Sequence, residues 1–246
     1  MVAGLATSLG ALPIFLGASR RRPAEVLMLA SAAGVMLGAT VFSLILPALA
    51  LNASHAGPGW PAALLTGAGI LLGALAIWGL HAAIPHQHFV KGREGAAASG
   101  LSRQWLFVLA ITLHNVPEGL SVGVAYGTRD IGDGLSITLG IGLQNLPEGL
   151  AVAAAAASEG LGRWRAFAIA SLTGLVEPAG GLVGAAAVSL SDRVLPWALA
   201  GAAGAMLYVV SGEVIPETHR SGRETGATLS LVAGFVLMML LDVGLG

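Results

Sequence analysis

Apolar runs of about twenty residues recur along the chain, and short clusters of charged and turn-forming residues separate them. A helix rises about 1.5 Å per residue and the hydrocarbon core of a bilayer is about 30 Å thick, so one crossing needs about 20 residues. The pattern predicts a single transmembrane domain over 1–246, with a cytoplasmic loop over 85–102. The predicted spans are 2–18, 25–51, 61–84, 103–126, 134–158, 163–190, 194–216 and 225–245.

Composition agrees with a membrane protein. Hydrophobic residues make up 55% of the chain and charged residues only 10%, against roughly 25% charged in a soluble domain. The 36 glycines suit helices that pack closely in lipid, and no strand-like alternation is present. We therefore predict an all-α integral membrane protein. The absence of cysteine excludes disulfides and thiolate metal ligands, and the net charge of −1 gives no indication of a nucleic-acid partner.

The basic residues fall almost entirely on one side of the predicted membrane. Only Arg129 and Arg193 lie in loops after even-numbered spans. Because cytoplasmic loops carry an excess of Lys and Arg, the distribution predicts an even number of spans with both termini outside the cytoplasm. The ten residues after odd-numbered spans are Arg20, Arg21, Arg22, Lys91, Arg93, Arg103, Arg163, Arg165, Arg220 and Arg223.

Two sequence repeats relate spans that are predicted to be antiparallel. HNVPEGL (114–120) and QNLPEGL (144–150) match at five of seven positions on spans four and five. AAGVML (32–37) and AAGAML (202–207) match at five of six positions on spans two and seven. Both repeats are therefore inverted, although an Ala-Gly match also arises by chance in membrane helices. Inverted repeats are typical of transporters, whose sites lie near the membrane midplane.

Three glutamates, Glu118, Glu148 and Glu177, lie within spans four, five and six. A charged side chain at that depth costs at least about 2.5 to 3.5 kcal/mol. No Lys or Arg lies at that depth in any predicted span to pair with them. The three carboxylates must therefore be protonated or be neutralised by a cation from outside the chain, and a divalent cation is the simplest answer.

The residues one helical turn before two of these glutamates are also potential ligands. His114 precedes Glu118 by four residues, and Gln144 precedes Glu148 by four, so each pair lies on one helical face. An isolated histidine in a helix is most often a hydrogen-bonded core residue. The matching motif on the next span favours a metal ligand for His114.

Neighbouring positions extend the predicted site. Pro117 and Pro147 cannot donate to the carbonyl four residues earlier, which opens the helical turn just before each glutamate. Asn115 and Asn145 point about 100° around the helix and could bind a second, adjacent ion. Imidazole, carboxylate and amide ligands without sulfur suit a borderline to hard divalent ion such as Zn²⁺, Mn²⁺, Fe²⁺ or Cd²⁺. An oxygen-rich site also binds such an ion more weakly than a structural zinc site, so that the ion can leave.

These motifs resemble the ZIP (Zrt/Irt-like) family of divalent-metal transporters, most closely its bacterial GufA-like branch. The family signature is His-Asn-x-Pro-Glu-Gly on the fourth span and His/Gln-x-x-Pro-Glu-Gly on the fifth. Further similar segments are LGALPIF (9–15), AAGVML, GLVEPAG (174–180) and GAMLYVVSGEVIPETHR (204–220). The resemblance implies eight helices in a 3+2+3 arrangement with inverted repeats, both termini outside, and metal flux toward the cytoplasm.

The resemblance also implies a two-metal centre. Its first position corresponds to His114, Glu118, Gln144 and Glu148. Its second corresponds to Asn115, Asn145 and Glu177, with Glu118 and Glu148 bridging the two ions. Some relatives have an aspartate where this chain has Asn145, and the loss of one negative charge weakens the case for an ion at the second position.

The same resemblance suggests a cytoplasmic route for the departing ion. A family histidine is replaced here by Gly212, which leaves Glu213, Glu217 and His219 as candidate ligands. His86 and His88 match the family's histidine-bearing loop between spans three and four, although solvated loop histidines explain them equally well.

The sequence thus predicts a transporter in a bacterial inner membrane that moves Zn²⁺, with Cd²⁺, Mn²⁺ or Fe²⁺ as alternatives, into the cytoplasm. It is not predicted to be an enzyme. An intramembrane metal-dependent hydrolase is the alternative, but the chain lacks HExxH and has no carboxylate left to act as general base. A metal sensor or structural subunit would need larger loops. The expected partners are metal ions and lipid, and the sequence leaves a homodimer open.

Overall fold

The computed structural model describes residues 1–16, 22–88, 92–95, 102–128, 131–189, 191, 193–219, 222 and 224–245. Side chains at 22–25, 87, 88, 92–94, 103 and 104 are outside this description. The first helices in the described part are α1 (Val2–Ala11), α2 (Arg22–Ala39), α3 (Leu46–Ala56), α4 (Trp60–Ala83) and α5 (Arg103–Ala125). They are followed by α6 (Ile131–Ser158), α7 (Arg163–Gly174), α8 (Val176–Ser189), α9 (Leu195–Val209), α10 (Ile215–Thr218) and α11 (Glu224–Leu245).

Short 3₁₀ and π segments extend or join these helices. Leu12–Leu16 and Tyr126–Thr128 are 3₁₀ turns after α1 and α5. Thr40–Ile45 is a π turn between α2 and α3, and Val210–Val214 is a π turn between α9 and α10. A proline, Pro47 or Pro216, follows each π turn at the second residue of the next helix. Proline has no N–H to donate to the carbonyl four residues earlier, which accounts for the local widening.

The segment predicted as a loop contains a short antiparallel hairpin. Its strands are β1 (His86–His88) and β2 (Gly92–Glu94), with His86 opposite Glu94. β1 packs against α5, and the side chain of His86 is buried. The hairpin therefore places a loop histidine inside the helical bundle.

Within the described ranges, six helices are long and apolar enough to cross a membrane. They are Val26–Ala56, Trp60–Ala83, Trp105–Thr128, Arg163–Ser189, Leu195–Thr218 and Glu224–Leu245, and Val2–Leu16 is a shorter apolar helix. α4 and α11 leave most of their apolar surface exposed, as lipid-facing helices do. The chain is therefore an all-helical, multi-pass membrane protein apart from its hairpin.

α6 is longer than any other single α-helix in the described structure. It is less apolar than the six spans, because Gln144, Asn145 and Glu148 lie in its middle. It contacts α1, α2, α5, α7 and α11, and it buries 16 of its 28 residues. Protein covers the polar face of this helix, while leucines on the opposite face, such as Leu139 and Leu143, stay exposed. Its polar groups therefore meet other polar groups.

The helices pack in matching pairs. α2 packs on α11 and α4 on α9, while α1 packs on α6 and α8 on α5. A Cβ at Gly34 would overlap the carbonyl oxygen of Leu231, and one at Gly204 would overlap that of Ile70. Gly34 and Gly204 occupy the same position in the two Ala-Gly segments. Glycine is therefore required at both positions for close approach of the backbones.

The glycines of the two Pro-Glu-Gly motifs also pack against backbone positions that are equivalent to each other. A Cβ at Gly119 would overlap the carbonyl oxygen of Glu177, and one at Gly149 would overlap that of Thr7. The number of residues between Thr7 and Glu177 equals the number between the two Ala-Gly segments. We call this separation along the chain the long offset. The long offset also relates Gly4 to Gly174, and each of these would overlap the other's carbonyl oxygen if it carried a Cβ. We call this relation between paired positions the internal repeat.

The internal repeat also covers α4 and α11. A Cβ at Gly73 would overlap the carbonyl oxygen of Gly201, and one at Gly234 would overlap that of Ser31. Ser31 and Gly201 are again related by the long offset. The separation between Gly73 and Gly234 is slightly shorter than the long offset, and we call it the short offset. The short offset also relates Ile70 to Leu231.

The π turns obey the internal repeat as well. Thr40 and Val210 are the first residues of the two π turns, and the long offset relates them. The two halves of the chain therefore share their helix irregularities as well as their helix packing.

Candidate metal centre

The structure buries all seven residues predicted to form the two-metal centre, each with at most 4% of its surface exposed. They are His114, Asn115 and Glu118 on α5, Gln144, Asn145 and Glu148 on α6, and Glu177 on α8. Among the described residues, no Lys or Arg is buried. The site is therefore rich in carboxylates and has no basic side chain among its buried neighbours.

Two prolines open the helices that carry most of this site without ending them. α5 continues through Pro117 and α6 through Pro147. The carbonyls of Leu113 and Leu143 thereby lose their usual helical donors. Each glutamate directly follows its proline, and each following glycine meets the backbone of α1 or α8. The repeated motif thus combines an acidic side chain with close packing on a third helix.

Glu177 reaches the site from a helix break. α7 ends at Gly174 and α8 begins at Val176, so Glu177 lies in the first turn of α8. Pro178 cannot donate to the carbonyl of Gly174, which explains the break. A helix N-terminus carries partial positive charge and stabilises a nearby carboxylate.

Hydrogen bonds between helices join the predicted ligands. The Nε2 of Gln144 donates to Oε1 of Glu118 at 2.6 Å, which links α6 to α5. The Nδ2 of Asn145 donates to Oε1 of Glu177 at 2.6 Å, which links α6 to α8. Glu148 and Glu177 also act electrostatically on Glu118. The structure therefore brings the three carboxylates into one cluster.

His114 is held by the backbone of its own helix. Its Nδ1 lies 2.9 Å from the carbonyl oxygen of Ala110, an arrangement in which Nδ1 carries the hydrogen and donates it. A neutral imidazole that donates from Nδ1 has its lone pair on Nε2, the atom that then binds a metal ion. The same Nδ1 is 3.5 Å from Oε2 of Glu213.

Several buried oxygens in this cluster have no hydrogen-bond partner among the described residues. A buried polar atom without a partner costs about 1 to 3 kcal/mol, and a cation would satisfy several of these oxygens together. Amide and carboxylate oxygens are also the donors that divalent ions accept. The atoms are Asn115 Oδ1, Glu118 Oε2, Gln144 Oε1, Asn145 Oδ1, Glu148 Oε2 and Glu177 Oε2.

A second cluster of metal-ligating side chains contains His81, His86 and Glu213, all buried. Their ligand atoms lie within 4.8 Å of one another. The Nδ1 of His81 is 2.6 Å from Oε1 of Glu213, and the rings of His81 and His86 are 4.8 Å apart. Because Glu213 also faces His114, this histidine cluster adjoins the seven-residue centre.

The sequence predicts Glu213 as a ligand, leaves His86 open and gives no prediction for His81. The signal that could have found His81 is a histidine in the last turn of a lipid-facing helix, five residues before His86. His219, predicted beside Glu213 on the exit route, instead contacts Ile215 O and Thr228 Oγ1 at 3.1 Å each. Glu217 is half-buried in α10, and the side chain of His88 lies outside the described part of the structure.

A polar cluster around Asp242 on α11 was also not predicted from the sequence. Ser43 donates to Oδ1 of Asp242 at 2.5 Å, and Ser136 donates to the same atom at 3.2 Å. This joins the π turn before α3 to α11 and α6. The long offset relates Ser43 to Glu213, and the short offset relates His81 to Asp242. The Ser43–Asp242 pair is therefore the equivalent, in the internal repeat, of the His81–Glu213 pair.

Comparison with known proteins identifies the fold family. The family described as ZIP Zinc transporter matches residues 79–242. The chain belongs to this family. It is 48% identical to Zinc transporter GufA from Myxococcus xanthus over 100% of this chain and 97% of that protein. It is 49% identical to Zinc transporter ZIPB from Bordetella bronchiseptica over 98% of this chain and 78% of that protein.

A more distant ZIP-family relative, Zinc transporter ZupT from Chlorobium limicola, is 31% identical over 97% of this chain and 93% of that protein. The predicted resemblance to the ZIP family and its GufA-like branch is confirmed. ZIP membership makes the chain a transporter and not an enzyme, so the intramembrane hydrolase is not favoured.

Proposed function

We propose that this chain transports Zn²⁺ across a bacterial inner membrane into the cytoplasm. The observation that carries the proposal is the buried cluster of carboxylate, amide and imidazole ligands with unsatisfied oxygens, in a chain of the ZIP family. The GufA and ZIPB relatives, which are about half identical to it, are named zinc transporters. Cd²⁺, Mn²⁺ and Fe²⁺ have ligand preferences close enough to compete.

The transport site in this proposal consists of His114, Glu118, Gln144 and Glu148. Two carboxylates balance the charge of one divalent ion, so the filled site is neutral within the membrane. Gln144 donates to one oxygen of Glu118, which leaves the other oxygen for the ion. His114 supplies the one nitrogen ligand and with it a preference for borderline metals over Mg²⁺ or Ca²⁺.

The chain is proposed to cross the membrane eight times in a 3+2+3 arrangement. α1, α2 with α3, and α4 form the first three spans, and α5 and α6 form the central two. α7 with α8, α9 with α10, and α11 form the last three. The internal repeat supports this assignment, because it exchanges the first three spans with the last three and α5 with α6. An inverted repeat of this kind provides two similar conformations, each open to one side.

Both termini are proposed to lie outside the cytoplasm, as the distribution of basic residues indicates. The loop that contains the hairpin is then cytoplasmic, and the cluster of His81, His86 and Glu213 lies between the transport site and the cytoplasm. Glu213 contacts both His81 and His114. A zinc ion that leaves His114 therefore meets Glu213 and the two histidines next, which is the expected exit route.

The test is zinc uptake into proteoliposomes that contain a fluorescent zinc indicator. Glu118→Gln and Glu148→Gln each remove one negative charge and preserve the shape of the side chain, so uptake should fall to the level of empty liposomes. Glu224→Gln is the matched control, because Glu224 is exposed in the first turn of α11. Uptake at the wild-type rate by either site variant would contradict the proposed site.

The same preparation separates the competing ions and the alternative function. Uptake of Zn²⁺ in the presence of Cd²⁺, Mn²⁺ or Fe²⁺ ranks the ions at the site. Metal-dependent cleavage of an added peptide, with no uptake of metal, would support the hydrolase instead.

A further inference from the structure

An aromatic cluster joins the end of α1 to the beginning of α7. The ring of Phe15, in the 3₁₀ turn after α1, lies 4.5 Å from the ring of Trp164 and 5.5 Å from that of Phe167, both on α7. Arg163 strengthens this contact, because its Nη1 donates to the carbonyl oxygen of Phe15 at 3.1 Å. We call this contact region the α1–α7 junction.

The outer part of the α1–α7 junction is apolar and exposed. Trp164 is 75% exposed, and Leu16, next to Phe15, is 89% exposed. Tryptophan is enriched where the hydrocarbon core of a bilayer meets the head groups, because its ring is apolar and its N–H is polar. The junction ends two apolar helices and therefore lies at this boundary.

Two arginines flank the exposed tryptophan. Arg163 and Arg165 are both exposed, and among the described residues neither forms an ion pair with a carboxylate. They do not stabilise α7 itself, because the N-terminus of a helix carries partial positive charge and favours acidic side chains. A guanidinium has five N–H donors, of which Arg163 uses one on Phe15. Both side chains can therefore attract an anion from outside the chain.

The sequence around the α1–α7 junction adds to this positive charge. The segments 17–25, which follows the 3₁₀ turn, and 159–165, which leads into α7, together contain five arginines and two glutamates, Glu25 and Glu159. Basic clusters beside a membrane span attract anionic lipids. A soluble acidic partner would match the charge, but it would not cover Leu16 and Trp164 at the level of the lipid. Lipid matches both the charge and the apolar surface.

We propose that the α1–α7 junction binds an anionic phospholipid. Arg163 and Arg165 attract the head group, and an acyl chain lies against Leu16 and Trp164. The site is separate from the metal centre and does not depend on which ion is transported. With the proposed orientation, the bound lipid belongs to the cytoplasmic leaflet.

The test measures which phospholipid stays bound to the purified full chain in detergent. The protein is mixed with equal amounts of phosphatidylglycerol, which is anionic, and phosphatidylcholine, which is neutral, and bound lipid is counted by native mass spectrometry. The wild-type protein should prefer phosphatidylglycerol. Arg163→Gln with Arg165→Gln should weaken phosphatidylglycerol binding at least about tenfold and leave phosphatidylcholine binding unchanged, since only the charge is lost. Trp164→Ala should weaken the binding of both lipids, because both have acyl chains.

Arg193→Gln is the matched control. Arg193 is an exposed arginine that directly follows Asp192 in the loop before α9, and it lies outside the α1–α7 junction. This variant should keep the wild-type preference for phosphatidylglycerol. An equal loss of binding in Arg193→Gln would overturn the proposal, because net charge and not a local site would then decide the binding. No preference in the wild-type protein would overturn it as well.

Thermal unfolding in nanodiscs gives a second readout and shows whether the variants fold. In phosphatidylcholine, the double glutamine variant should unfold at the wild-type temperature. Adding phosphatidylglycerol should raise the unfolding temperature of the wild-type protein and of Arg163→Lys with Arg165→Lys, which keeps the charge, but not that of the glutamine variant. Equal stabilisation of the glutamine variant and the wild-type protein would overturn the proposal. So would the same stabilisation by inorganic phosphate, since the junction would then bind a free anion and not a lipid.

Discussion

The two polar pairs related by the internal repeat have the same positions but different chemistry. His81 and Glu213 meet at 2.6 Å where α4 faces the π turn after α9. Asp242 and Ser43 meet at 2.5 Å where α11 faces the π turn after α2. One pair has an imidazole, a carboxylate and His86 beside it, while the other has a carboxylate and hydroxyl groups.

Each pair also contacts one of the two central helices. Glu213 is 3.5 Å from His114 on α5, and Asp242 accepts a hydrogen bond from Ser136 on α6 at 3.2 Å. Imidazole with carboxylate binds borderline divalent metals, whereas a carboxylate with two serines offers no nitrogen ligand. The backbone packing is thus repeated, but only the His81 pair has a set of ligands suited to zinc. With the proposed orientation, this pair faces the cytoplasm.

The largest effect should come from disturbing the packing that both halves share. Gly34→Ala and Gly204→Ala each place a methyl group against the backbone of the partner helix. We expect each to destabilise the protein by about 1 to 3 kcal/mol or more, since overpacking against a backbone cannot be relieved by side-chain rotation. Thermal unfolding in detergent measures the loss.

Gly67→Ala is the control for this comparison, because its added methyl group would meet no neighbouring helix in the described structure within 4 Å. It should not lower the stability, and alanine's better helix propensity favours a small gain. A large loss for only one member of the Gly34 and Gly204 pair would contradict the equivalence of the two halves.

The next effect should distinguish the two pairs by metal binding. His81→Ala removes one ligand of the histidine cluster, and we expect zinc affinity there to fall at least about tenfold. Asp242→Asn alters the equivalent residue of the other pair and should leave that affinity unchanged. Zinc titration in a background of Glu118→Gln with Glu148→Gln isolates the cluster from the transport site. Equal losses in the two variants would show that the pairs do not differ in metal binding.

The smallest effect should come from the hydroxyl groups around Asp242. Ser43→Ala removes the shorter hydrogen bond and should cost about 1 to 2 kcal/mol of stability, because it takes a donor from a part-buried carboxylate. Ser136→Ala removes the longer bond and should cost less. Ser54→Ala, at an exposed serine, is the control for both. A larger loss of stability for Ser136→Ala than for Ser43→Ala would show that Asp242 depends mainly on its hydrogen bond to α6.

Local spacing along the chain determines much of the site. The four-residue interval between His114 and Glu118, and between Gln144 and Glu148, places each pair on one face whatever the rest of the chain does. The lack of basic residues in the middle of the spans makes a cation the expected partner of the buried glutamates. Hydropathy is less informative for α6, since its polar residues make it less apolar than the lipid-facing helices.

The spacing of residues along the chain does not predict the contacts between distant segments. His81 meets Glu213, and Asp242 meets Ser43, because glycines let α4 approach α9 and α11 approach α2. The hairpin likewise turns His86 from a loop residue into a buried one.

The sequence by itself determined the membrane class and the family, and it predicted the candidate ligands of the central site, because these follow from local composition, helical periodicity and motifs. Only the tertiary structure decided which oxygens are already used by other side chains. Asn145 shows the difference: its position in the motif predicts a polar residue at the site, but only the structure shows that its amide nitrogen donates to Glu177 on α8 and to Ala3 on α1. Those contacts depend on three helices meeting at one point, and the packing of helices is a property of the whole chain.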